Sequence, residues 1–585
     1  MLRTIFYYLR LGLIWLGLFA LTKSYFIGVN LGIDALLLSD FFQVWRAGIL
    51  LDLSMVGYLS IIPILGIFCS KILPIITNKV IYFYGWFTWL FLIIVMASDA
   101  YFYYYWGQKI NLGFTQFLGE ENAGLFSLET QTFTVTFLFI ILGIYGFSWR
   151  GSKLFHLPEK GSIWTAIVLL TISFVMIRGG LGNVPINISS AYFSKNNALN
   201  NAAVNPAWCF LATELERDKH APLKFFEQKE QAEKIWNQIN SSKDDYISLL
   251  EPYDSNTNVI LIVLESFSAK VVGSVSREKF GSTPQLDSIS GKGISFPNAY
   301  ASSFRSDKGL LALTTGFPSG ARQTLTNFPI ELSAKPSIFK LFSKDYWTSF
   351  YYGGNIDFAN IKVLFSDADE LKSGNDFVSS KRNIWGVHDE DVFQTFGDDF
   401  IMRKKPQFSM LFSLSSHEPF DVPNYQKRDD PYLNSISYTD SCLGLLINRI
   451  KESDKWSNTL IIITADHGVR RPDNAPIYSD INFKIPLILT GGVVRRDKVI
   501  RQIVSQSDLP STVASYLNKP FIFSQQSVLQ PSNIAFYSYH NGIATVTPDC
   551  IQFYDFDQKK YLTDSCTLPF EKAYFQLAND DFFNR

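Results

Sequence analysis

At 585 residues the chain has room for several domains. Its 52 basic and 53 acidic residues leave it almost neutral. That excludes the positive excess with which proteins neutralise nucleic-acid phosphates, so no nucleic acid is expected among its partners. The balance conceals two unlike halves, an apolar one before residue 180 and a water-soluble one after it.

Residues 1–180 read as a transmembrane domain of five helices, over 5–27, 47–70, 80–105, 133–147 and 163–177. Crossing a bilayer as a helix takes roughly 20 apolar residues, so the last two need flanking residues to complete the span. Lys23 within the first segment, and no small-residue cleavage site after it, make it a span rather than a cleavable signal. Arg3, Arg10, Lys71, Lys79, Arg150, Lys153 and Lys160 fall in one set of loops; Asp34, Asp40, Glu120, Glu121 and Glu129 fall in the other. The positive-inside rule then puts the N-terminus in the cytoplasm, and an odd number of spans puts everything after residue 180 outside. Asp52, inside the second span, is a functional candidate or a packing residue paired with Arg46.

Residues 181–250 read as a helical connector at the membrane surface, with an Asn-rich loop over 196–201 and a polar helix over 227–239. From 251 to 530 short apolar runs alternate with helical segments, and strands are expected at 259–264, 347–352, 408–414, 460–464 and 486–489. Runs this apolar imply burial on both faces, hence an α/β domain with a mostly parallel central sheet. Ligands of such sheets bind beyond the carboxyl ends of the strands. Glu265, Asp466 and His467 sit at such ends, and His417 follows three residues after another.

A helix is expected over 306–315 with Ser306 near its start. Free backbone N–H groups there suit a phosphate or sulfate ester. Arg305 and Lys308 add positive charge, and Arg470 and Arg471 follow the Asp466-His467-Gly468 turn. His540 reads as structural. Residues 531–585 form a small β region, where Cys550 and Cys566 are equidistant from Gln558 in a hairpin and can pair in an oxidising compartment.

The order strand-Glu265, Thr283-Pro-Gln-Leu-Asp287, Ser306, Asp466-His467-Gly468 resembles the alkaline phosphatase and sulfatase superfamily. Five spans joined to such a domain resemble the lipoteichoic acid synthase branch, which includes phosphoglycerol transferases. The resemblance implies an enzyme of a bacterial cytoplasmic (inner) membrane, with one divalent metal held by Glu265, Ser306, Asp466 and His467. Mixed oxygen and nitrogen ligands suit Mn²⁺ first, with Mg²⁺ or Zn²⁺ as alternatives. With six His in the whole chain, one metal is favoured over two.

Ser306 would attack phosphorus and carry the group covalently, while His417, Arg305 and Arg470 would bind substrate. The reaction implied is transfer of a phospho-alcohol head group, phosphoglycerol-like or phosphoethanolamine-like, from a phospholipid donor to a glycan or lipid acceptor outside the cytoplasm. The alternative is a phosphodiesterase, phosphatase or sulfuric ester hydrolase of the same superfamily. Two departures bear on substrate. Ala359 and Ile361 take the places of a Trp and an Arg that hold glycerol phosphate in the branch. Ser306-Asp-Lys-Gly-Leu310 lacks the x-Pro-x-Arg of sulfatases, which argues against a conventional sulfatase.

Overall fold

The structure is a computed structural model. It describes residues 1–31, 38–106, 109, 138, 140–141, 143–146, 155–158, 162–182, 184–216, 224–239, 244–276, 280–318, 320–321, 325–342, 345–379, 381–473, 475–520, 526–556, 558–563, 566 and 568–583. Two compact units divide the chain, 1–219 and 220–585, so the stretch 181–250 is shared between them.

In the first unit, α1 (Leu2–Leu31), α2 (Leu38–Cys69) and α3 (Pro74–Trp106) are long and apolar enough to cross a membrane. The chain is a membrane protein. Its expected span over 133–147 lies largely outside the described residues. The last expected span is α4 (Ile163–Arg178), whose 16 residues fall short of the roughly 20 needed to cross. Its length is set at both ends. The Ser162 side chain accepts from the Thr165 N–H, and Gly179 closes the helix in the left-handed conformation at φ 83°. Among the described residues three spans, not five, are established.

Asp52 is not paired with Arg46. Six residues on one helix turn Arg46 about 240° away from Asp52, onto an exposed face. Its partner is Lys23 of α1, with Nζ 2.7 Å from Oδ2 and both side chains buried. Asn205 donates to the other carboxylate oxygen at 2.9 Å, so both oxygens of the buried charge are satisfied.

The second unit is built on an eight-stranded sheet. Its strands in chain order are β1 (Asn258–Leu264), β2 (Ile294–Ser295), β3 (Trp347–Tyr352), β4 (Glu370–Ser373), β5 (Gln407–Phe412), β6 (Thr459–Ala465), β7 (Leu487–Thr490) and β8 (Lys498–Val499). They lie in the order β8-β2-β7-β6-β1-β5-β3-β4. β1 is central, with every residue buried and parallel neighbours on both sides. The helices that bear on the site are α5 (Ser306–Thr315), α6 (Asp389–Met402) and α7 (Pro431–Lys451).

The sheet is mixed: five of its seven strand pairings are parallel, and β7 alone runs against the rest. β7 runs antiparallel to both β6 and β2. A parallel return from β6 needs a crossover, usually a helix, to carry the chain back to the starting edge. Among the described residues between β6 and β7 the chain forms turns, one three-residue 3₁₀ segment, Asp480–Asn482, and a two-residue strand, Lys484–Ile485, that pairs with Ala299–Tyr300 outside this sheet. It therefore re-enters the sheet from the edge at which it left.

A four-stranded antiparallel sheet follows: β9 (Ala535–Tyr539), β10 (Gly542–Val546), β11 (Ile551–Asp555) and β12 (Lys560–Tyr561). The β11–β12 register pairs Asp555 with Lys560, and the flanking Cys550 and Cys566 form a disulfide. α8 (Phe570–Phe583) carries Tyr574, which stacks on Trp236 of the helix Lys229–Trp236 at 5.5 Å.

Candidate active site

β1 and β6 are adjacent and in register, Leu264 opposite Ala465. The next residue of each, Glu265 and Asp466, therefore emerges side by side at the carboxyl edge of the sheet. Both are fully buried, and His467 is nearly so. His467 Nε2 lies 3.7 Å from Glu265 Oε1 and 3.4 Å from Asp466 Oδ2. One ligand atom from each of the three residues falls within 4.8 Å of the others. Ser306, the first residue of α5, completes the cluster, with Oγ donating to Glu265 Oε2 at 3.3 Å and 3.4 Å from His467 Nε2.

The tautomer of His467 follows from its second contact. Nδ1 lies 3.0 Å from the Gly468 carbonyl, which can only accept, so Nδ1 carries the proton. Nε2 is left with its lone pair toward the carboxylates and Ser306. Asp466 Oδ1 takes N–H bonds from Ser266 and His467, each at 2.8 Å. Its Oδ2 is buried without a hydrogen-bond partner among the described residues. Burial, and then the charge of Asp466, push Glu265 well above the carboxylate range. Two buried carboxylates and an imidazole lone pair, one oxygen left unsatisfied, are a donor set that fits a divalent cation.

A second layer fixes these groups. Ser266, left-handed at φ 57°, donates its hydroxyl to Glu265 Oε1 at 2.7 Å. Ser413 accepts from the Glu265 N–H, and Ser416 donates to its carbonyl. Gln506 donates to the carbonyls of Ala465 and Asp466 at 2.8 and 2.7 Å. α5 approaches the Asp466 backbone closely because residue 309 is glycine: a Cβ there would lie 2.0 Å from the Asp466 carbonyl oxygen.

The site opens into a cavity of about 500 Å³ whose lining includes Glu265, His467, His417, Phe420, Arg470 and Arg471. His417 lies farther past its strand than expected, because β5 ends at Phe412. Its Nδ1 lies 2.8 Å from the Glu418 carbonyl, which again leaves Nε2 for a ligand. Arg470 donates to the Ala475 carbonyl. Arg471 lies over the Phe420 ring and 3.8 Å from Glu418.

Arg305 is not among the residues lining this cavity; its guanidinium meets Asp307 at 3.2 Å. Lys308 donates to the carbonyls of Gly320 and Ala321, and burial lowers its ammonium to about 8. His540 is an exposed turn residue beside Phe304.

Sequence reasoning missed three contributors. Ser266 had a signal, its place next to Glu265 at a strand end. Trp385 had none: its ring stands 4.5 Å from that of His417, and its Nε1 donates to the Glu418 carbonyl at 2.7 Å. Lys270 is held by Asp473, Asn482 and the Arg470 carbonyl behind the cavity wall, all distant in sequence. Ala359 and Asn360 both adopt left-handed backbone, at φ 51° and 57°.

Residues 257–519 match the sulfatase family. The lipoteichoic acid synthase-like protein YvgJ of Bacillus subtilis is 22% identical over 228 residues, 36% of this chain and 36% of that protein. Phosphoglycerol transferase I of Salmonella newport is 23% identical over 341 residues, 50% of this chain and 43% of that protein. The chain thus spans less than half the length of these curated relatives. The crystal structure of the lipoteichoic acid synthase LtaP from Listeria monocytogenes superposes with a TM-score of 0.50 at 17% identity, covering 60% of this chain and 98% of that one. It shares the fold. Over residues 257–519, with a ligand cluster at the carboxyl edge of its sheet, the chain is thus similar to sulfatase-family proteins, lipoteichoic acid synthase-like proteins and phosphoglycerol transferases among them.

Proposed function

We propose that the chain transfers a phospho-alcohol head group from a membrane phospholipid to a glycan or lipid acceptor outside the cytoplasm. The observation that carries this reading is the position of Ser306 Oγ, 3.3 and 3.4 Å from a carboxylate and an imidazole at a helix start. A divalent metal, Mn²⁺ by preference, bound by Glu265, Asp466 and His467 supplies the charge that favours the deprotonated Ser306 hydroxyl.

Ser306 Oγ forms a bond to phosphorus while the bond to the donor's lipid alcohol breaks. That leaving oxygen takes a proton from Nε2 of His417, which enters this step as the imidazolium and leaves it with Nδ1–H still on the Glu418 carbonyl. In the second half an acceptor hydroxyl gives its proton to His417 and attacks phosphorus, and Ser306 leaves. Arg470 and Arg471 balance the phosphate charge from the cavity wall, and Arg305 serves the approaching substrate. The Cys550–Cys566 disulfide supports an oxidising, extracytoplasmic location for residues 220–585.

The experiment is mass spectrometry of Ser306 after brief incubation with labelled phospholipid. A phospho-alcohol adduct on Ser306, chased onto an acceptor, is the expected outcome. Ser306→Ala should form no adduct and lose at least about a thousandfold in rate while keeping its melting temperature. Label released only to water would replace the transferase with a phosphodiesterase.

A further inference from the structure

Exposed apolar side chains stand beside the catalytic cavity, and one of them, Ile477, lines it. Phe358 is 42% exposed, Ile384 66%, Ile477 45% and Ile481 40%. They form two lips. On one side Phe358 meets the Trp385 ring edge-on at 6.2 Å, and Trp385 in turn stands against His417. On the other, Ile477 lines the catalytic cavity, and Ile481 lines a neighbouring cavity of about 600 Å³. Tyr478 lies between them, partly exposed.

Neither lip is a slack loop. Ile384 and Trp385 sit at the tip of a turn closed by the Asn383 N–H donating to the Gly386 carbonyl at 2.9 Å. The Asn383 side chain accepts from the N–H groups of Trp385 and Gly386 as well. On the other lip the Tyr478 carbonyl accepts from the Tyr537 hydroxyl at 2.9 Å, and its ring packs on Phe553. The fold spends hydrogen bonds on holding these apolar groups in contact with solvent.

Exposed apolar groups fixed beside a polar cavity mark a surface that is covered in use. The chemistry beside them says by what. Arg382, adjoining Ile384, donates to the carbonyls of Ser379, Gly374 and Phe377 and to no carboxylate among the described residues, so its charge stands at the surface. Apolar side chains, a tyrosine and an uncancelled cation match the layered polarity of an anionic bilayer interface. The same chain carries three helices able to cross a membrane, which keeps such a surface within reach.

We infer that this rim, formed by Phe358, Ile384, Ile477, Tyr478 and Ile481, inserts into the interfacial layer of a phospholipid bilayer around the donor lipid. The inference deepens the proposed function and rests on it for the donor. The rim lets the head-group phosphate reach Ser306 while the acyl chains remain in the bilayer. The lipid need not be lifted through water, a step that would expose its chains.

The test uses the full chain in bilayers of phosphatidylglycerol with brominated phosphatidylcholine. A genetically encoded fluorescent amino acid replaces Ile384, Ile477 or, as reference, Leu445 of α7, which is exposed and lines neither cavity. Emission at 384 and 477 is expected to fall about threefold with brominated lipid, and emission at 445 to stay unchanged. Equal responses at all three positions would overturn the inference. Shielding of 384 and 477 from brominated lipid together with crosslinks between copies would also overturn it, and would assign the rim to a second copy.

Turnover gives the second arm. Ile384→Glu with Ile481→Glu is expected to lower transfer from bilayer lipid about tenfold and to leave cleavage of water-soluble bis(4-nitrophenyl) phosphate unchanged. Equal loss of both activities, or of neither, counts against the rim. A wild-type chain quenched at the rim but unable to transfer any head group would support the rim and overturn the catalytic reading.

Discussion

Gly309 governs how near the proposed nucleophile comes to its partners. A methyl group there meets the Asp466 carbonyl at 2.0 Å, and backbone cannot yield as a flexible side chain does. Gly309→Ala should move α5 away from β6, lower turnover about a hundredfold and cost a few kcal/mol of stability. Rate measurements with thermal unfolding check both. Asp508 makes a pH prediction. Burial raises its carboxyl to about 7, against the bond from the Ser505 N–H. The folded chain therefore holds this proton more tightly than the unfolded one, so the stabilisation is full below about pH 4 and is lost as pH rises through about 7. Melting temperature should fall between about pH 4 and pH 7, by the equivalent of about 4 kcal/mol at most, and Asp508→Asn should flatten that slope. Glu265, Asp466 and Ser306 were visible in the sequence because each ends or begins a regular element, where the chain's own periodicity marks the spot. Trp385 was not, since its nearness to His417 depends on a turn that no local pattern announces.

Among the elements, the β11–β12 hairpin shows local signals working well. Two flanking cysteines at equal distance from a turn meet because antiparallel pairing has one dominant register. Their separation of 16 residues gives an expected loss of about 3 kcal/mol on Cys550→Ser with Cys566→Ser, read as a lower melting temperature that reductant does not lower further. β7 shows the opposite. Leu487–Thr490 is apolar in either direction, so its residues report burial but not orientation. Orientation was written in the connection, in the lack of an α-helix among the described residues between Asp466 and Leu487. The helix Ser306–Thr315 was legible to the residue, whereas α4 proved shorter than a span because Gly179 ends it.

At the scale of the molecule, each unit rests on a buried charged cluster, and their logics differ. In the membrane unit Lys23 and Asp52 satisfy one another, so removing one strands the other. Lys23→Met should cost about 3–5 kcal/mol, and Lys23→Met with Asp52→Leu much less, seen as loss and recovery of the unfolding midpoint in detergent. The pairing was hidden because Lys23 belongs to a different helix, while Arg46, near in sequence, lies around the cylinder. The division into an apolar and a water-soluble half was legible from composition alone, since bilayer and water select opposite side chains.

The return segment between β6 and β7 has one more consequence. It begins with Asp466 and His467, walls the catalytic cavity through Arg470, Arg471 and Ile477, and ends where the sheet resumes. Its ends are pinned, by Gln506 at the Asp466 carbonyl and by the β6–β7 ladder, whereas its solvent-facing middle is held by two side chains from elsewhere, Lys270 and Tyr537. From Val469 to Ile481 such a segment can be exchanged without touching the candidate ligands Asp466 and His467 or the register of β6 and β7. A fold arranged this way can acquire new substrates by rewriting a single stretch of chain, and its chemistry stays where the sheet put it.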